Sequence, residues 1–148
     1  MTAVRVVIPG VATRDLVAMI TQLDDVIREL ALIQMGVANG VGRPTVSQEV
    51  LAAMDRARPV LFEAKEAVSR QASAAWTAGA ATVDIEVELP ASSAGMVTEI
   101  LDVLESVDAE SAGDSALLLP AATPETAAFR RWFFTEIASS LGRVPHRA

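Results

Sequence analysis

The stretch "TVDIEVELP", residues 82–90, alternates strictly between polar and apolar positions. Val83, Ile85, Val87 and Leu89 fall on one face and Thr82, Asp84, Glu86 and Glu88 on the other, the two-residue period of a half-buried strand. Downstream, a helix is expected from about Ser93 to Val107, with Met96, Ile100, Leu101, Leu104 and Val107 inward. "DAESAGDS" (108–115) reads as a turn and "ALLLP" (116–120) as a short, fully apolar strand. Residues 82–120 therefore have the length of a βαβ crossover, right-handed if its two strands are parallel.

Upstream, "VRVVIPG" (4–10) reads as a third strand, β-branched and closed by Pro9-Gly10. A helix follows from about Thr13. Leu16, Ile20, Leu23, Ile27 and Leu30 form one apolar stripe and Met19, Val26 and Ile33 a second. Two adjacent stripes make a face wider than a two-stranded seam needs, so this helix is expected to be buried from two directions or to sit in a bundle.

"GVANGVGRPT" (36–45) is a loop; its glycines lack the following Lys-Ser/Thr of a phosphate loop. Thr45, with Gln48 at capping-box spacing, opens the next helix. Met54, Ala57, Leu61, Ala64, Val68, Ala72 and Ala75 carry its inner face to Ala78, and Gly79 is the stop. Pro59 predicts a kink, or a break near Arg58. Thr123-Pro124-Glu125 starts a last helix, with N-cap, Pro at the first helical position and an acid in the first turn, which runs to Leu141 and Gly142.

The expected fold is α+β and a single domain over residues 1–148. A long antiparallel helical hairpin (13–79) packs with a small three-stranded sheet whose C-terminal half (82–142) is a βαβα unit. At 148 residues and 51% hydrophobic content, the chain is long enough to bury roughly 70% of its unfolded surface. There is no cysteine, which fits a reducing compartment. The net charge of −7 disfavours nucleic acid and anionic membrane as partners, because both need a basic surface. The N-terminal apolar run is too short for a signal peptide or a membrane span, so a cytoplasmic location is expected.

Few residues suggest chemistry. His146, the lone histidine, lies in a terminal segment that cannot hold a general base in place. Asp84, Glu86 and Glu88 could be a solvated strand face, a patch for an Arg-bearing partner or a hard-cation site. Their spacing of roughly 6.5–7 Å along a strand makes convergence on one ion hard. The two serines of "ASSAG" (91–95) have no positioned base and read as helix capping. Asp24, Asp25, Glu63, Lys65, Glu66 and Arg70 read as exposed-face charge, with Glu66 and Arg70 an i,i+4 pair. No catalytic residue, metal ligand set or cofactor follows from the sequence, so an enzyme is not expected.

The last helix carries four of the six aromatic residues, in "LPAATPETAAFRRWFFTEI" (119–137). Phe129, Trp132 and Phe133 share a face with Ile137, and Phe134 falls nearer Leu141. The apolar arc is roughly 200° wide, with Arg130 inside it. Either the helix is gripped on two sides, with Arg130 paired to an acid such as Glu99 or Glu136, or one side is exposed and Phe134 and Arg130 meet a partner.

Three segments, "AAWTAGAATVDIEVELP" (74–90), "ILDVLESVDAESAGDSALLLPAATPE" (100–125) and "AFRRWFFTEIASSLG" (128–142), resemble a C-terminal module of actinobacterial signalling proteins. In those proteins the module stands beside ATP-binding regions of the histidine-kinase or anti-sigma type. The resemblance implies a regulatory or sensory accessory role without a reaction of its own. The end "ASSLGRVPHRA" departs from the Gln-rich ending of some members, and no ATP-binding domain is present, so the neighbours' nucleotide chemistry does not carry over.

The expected function is a non-enzymatic, cytoplasmic module of bacterial signal transduction. Its partners would be a second copy of itself and a regulatory protein, contacted through Met19, Val26, Ile27, Ile33, Arg130 and Phe134. The alternative is a small-molecule sensor with an apolar pocket between hairpin and sheet, lined by Met54, Trp76 and Met96.

Overall fold

The structure is a computed structural model, and it describes residues 3–38, 48–112 and 122–142. Strand β1 (Ala3–Ala12) leads into helix α1 (Thr13–Ala38); helix α2 (Gln48–Thr77) precedes strand β2 (Thr82–Pro90). A short 3-10 turn (Ala91–Ser93) then opens helix α3 (Ala94–Ala112), and helix α4 (Pro124–Gly142) follows. The protein is α+β and mostly helical.

The sheet has two antiparallel strands among the described residues. The expected strand 116–120 lies outside them, as do Thr45 of the expected capping box, the loop 39–45 and His146. β1 pairs with β2 from Ala3 opposite Pro90 to Ala12 opposite Thr82. Between Ile8 and Val11 the register shifts by one residue, at the Pro9-Gly10 pair expected only to end the strand. Gly10 has φ +64°, a conformation that only glycine adopts at no cost, and its N–H donates to Asp84 Oδ1 (2.9 Å). The extra residue keeps Val11 in phase with Val6 and Ile8 on the buried face. Across from them Ile85, Val87 and Leu89 are buried as their alternation requires.

Helices cover this face. Gly79 ends α2 as expected, with φ +70°. Ala80 N–H bonds to Ala75 O (2.9 Å) and Gly79 N–H to Trp76 O (3.0 Å), the paired bonds of a Schellman cap. Thr123 caps α4, accepting the Thr126 N–H at 3.1 Å, with Pro124 first in the helix. Pro59 lies inside a continuous α2, so the break expected near Arg58 does not occur. Its ring is exposed, and solvent can serve the carbonyl one turn back that loses its partner. α3 runs through residues 108–112, where a turn was expected.

Both stripes of α1 are used inside the chain. Leu16, Met19, Leu23, Val26 and Leu30 are buried in the core, with Ile20, Ile27 and Ile33 partly buried against it. Lys65, expected on an exposed face, is mostly covered and bonds to Asp24 across the two helices (2.7 Å). Glu66 lies 4.0 Å from the same ammonium, whereas its expected partner was Arg70.

Candidate functional site: an apolar groove between α1 and α2

On the outer side of α1 and α2, half-buried and exposed apolar side chains stand over part of the core. Ile27 and Leu30 from α1, with Leu51, Met54, Leu61 and Phe62 from α2, line an open groove of about 220 Å³. Its rim is polar: Arg58 donates to Gln34 Oε1 (3.0 Å) and lies 3.5 Å from Asp55. Phe62 is 58% exposed, and the Lys65 ammonium stands 5.9 Å from its ring centroid. On α1, Met35 is 60% and Leu32 56% exposed. Met35 lies one turn beyond Ala31, which itself lines the groove.

The expected interface residues fall mostly elsewhere. Met19 and Val26 are core, because α2, α4 and the sheet all pack on α1. Phe134 is 7% exposed and Arg130 1%, so neither is available to a partner. The aromatic helix is gripped on two sides, and only Trp132 of its ring cluster remains substantially exposed. Phe129 stacks on Phe133 (6.0 Å between centroids) and tilts against Trp132 (5.7 Å). Ile27 and Ile33 stay half-buried, and Ile27 alone of the expected set lines the groove.

Arg130 pairs with Asp108 rather than with Glu99 or Glu136. Its other Nη is 3.4 Å from Gln22 Oε1, so one guanidinium joins α4, α3 and α1. Glu99 pairs instead with Arg56 (2.9 Å), and Arg131 binds both oxygens of Glu105 (2.9 and 2.7 Å). Asp108 is free to make its bond because α3 extends past the expected turn.

Of the residues expected to line an apolar pocket, two come together. Met54 and Met96 meet at a site of about 140 Å³ beside the Arg56–Glu99 pair, while Trp76 is exposed near the end of α2 and does not line it. Between the helices and the sheet lies a different cavity of about 60 Å³, walled by Leu23, Val68, Val87, Phe133 and Ile137 among other apolar side chains. An apolar cavity of about 150 Å³ binds benzene; this one has less than half that volume.

On the sheet's outer face, Asp84 serves the bulge and Glu86 pairs with Arg5. Among the described residues no three His, Cys, Asp or Glu side chains are placed to hold a metal ion. No described helix is long and apolar enough to cross a membrane.

Leu32, Met35 and Phe62 were missed by sequence reasoning. The available signal was negative: Leu32 and Met35 lie off both stripes of α1, and Phe62 lies off the inner face of α2. No family model, no curated protein and no solved structure matches the chain.

Proposed function

We propose that the chain is a non-enzymatic regulatory module of bacterial signal transduction, acting in the cytoplasm by binding proteins: a regulatory partner and a second copy of itself. The observation that carries this reading is the groove between α1 and α2. Its floor is aliphatic, its edge aromatic and its rim polar, the composition of a protein-binding patch with a central anchor site. At about 220 Å³ and open to solvent, it suits one or two apolar side chains of a partner. The resemblance of residues 74–142 to the actinobacterial signalling module supports a regulatory setting.

The sensor alternative has less support, because the cavity under the sheet is small and Trp76 stands apart from the site where Met54 and Met96 meet. The test is capture on immobilised protein, comparing wild type with Phe62→Asp and, as control, Trp132→Asp. A partner held by wild type and the control but lost to Phe62→Asp supports the groove. Equal retention by all three contradicts it.

A further inference from the structure

The two edges of the sheet are treated differently. Along β2, the Gln71 side chain from α2 closes the edge at Glu86: its Nε2 donates to Glu86 O (2.6 Å), and its Oε1 accepts from Glu86 N–H (2.8 Å). Both backbone groups of Glu86 therefore point away from β1. Glu86 stands opposite Val7, which makes this a non-hydrogen-bonded pair of the antiparallel ladder, and the N–H and C=O of Val7 must point away from β2 as well. The register is regular from Ala3 to Ile8, so Arg5, two residues earlier, does the same. Among the described residues nothing meets these groups.

This half of β1 has one of the usual protections of an edge, the charge of Arg5, which is paired with Glu86. Pro9 and the bulge come after it, and "VRVVI" (4–8) is β-branched and apolar apart from Arg5. Val7 is 46% exposed on the outer face. A regular edge with outward amides is a template for another strand.

We infer that β1 is the self-association edge: two copies join antiparallel through β1 about a two-fold axis at Val6, giving one four-stranded sheet. This rests on the self-association in the proposed function and says where it occurs. The strand's own residues select the occupant and the register. Pairing centred on Arg5 would set arginine against arginine, a like-charge pair directly opposite. Pairing centred on Val7 would set Arg5 against Pro9, which has no N–H to give. Pairing centred on Val6 places Arg5 of each copy opposite Val7 of the other, so that the outward N–H and C=O groups of both residues are used, and moves Pro9 opposite Ala3 at the end of the strand. Each arginine keeps its carboxylate, Glu86, and faces a valine, so the two arginines lie on a diagonal rather than directly opposite.

The test is molar mass by light scattering for wild type and Val7→Pro. The substitution removes an outward N–H and leaves the bonds between β1 and β2 in place. Wild type is expected at twice the 15.6 kDa of one chain, and Val7→Pro at the single-chain mass with an unchanged circular-dichroism spectrum. A folded Val7→Pro that keeps the double mass overturns the β1 edge while leaving self-association standing. A wild type at single-chain mass throughout overturns both, whereas partner capture through Phe62 is read independently of mass. Hydrogen exchange on the wild type covers the case of a variant that fails to fold. Arg5 and Val7 amides as slow as those of Val6 and Ile8 support the edge, and fast exchange at Arg5 and Val7 alone overturns it.

Discussion

Arg130 shows how one side chain can organise a helical layer. It is almost fully buried on α4, ion-paired with Asp108 on α3 and near Gln22 on α1, while its Nε has no partner among the described residues. Removing one member of a buried pair leaves the other charge uncompensated, at a cost of about 3–5 kcal/mol. Arg130→Ala is therefore expected to lose most of that amount in urea unfolding. A loss below about 1 kcal/mol, the range of exposed pairs, would show that solvent already screens Asp108. The burial of Arg130 was foreshadowed by its place in the middle of an apolar arc. Its partner was not, because an Asp-Ala-Glu-Ser-Ala-Gly run reads locally as a turn, and only the packing of α4 on α3 rewards continuing the helix to Ala112.

At the scale of elements, alternation identified β2 and its buried face, since period-2 burial is written directly into residues 83–89, whereas β1 was legible only as a β-branched run, because the apolar but exposed Val7 hides its alternation. The cap residues Gly79 and Thr123 were equally legible, because each has one local job. The bulge was not: Pro9-Gly10 is an ordinary strand terminator until Asp84, seventy-four residues away, accepts the Gly10 N–H. Gln71 was hidden for the same reason. On α2 it looks like a surface polar residue, yet its amide takes the place of a neighbouring strand. Gln71→Ala is expected to cost about 1–2 kcal/mol, the loss of two hydrogen bonds to a partly sheltered edge, and to speed hydrogen exchange at Glu86. Unchanged exchange at Glu86 would mean that solvent substitutes fully for the side chain.

For the whole molecule, the width of α1's apolar face announced burial from two directions, but not who supplies the second. Sheet, α2 and α4 all come from the same chain, so Met19, Val26 and Phe134 are spent on the core. The surfaces proposed for other proteins are the groove edged by Phe62, with Met35 beside it, and the outward half of β1. Periodicity could not separate these roles, because a stripe looks the same whether its cover is internal or external. The most direct test of this division is equilibrium urea unfolding of Phe134→Ala beside Phe62→Asp, at one protein concentration. The account predicts a loss of about 3–5 kcal/mol for Phe134→Ala, the cost of emptying a core aromatic site, and a change within about 0.5 kcal/mol for Phe62→Asp, as for surface substitutions generally. Near-neutral Phe134→Ala together with a strongly destabilised Phe62→Asp would contradict it, returning the aromatic helix to the surface and the groove to the core.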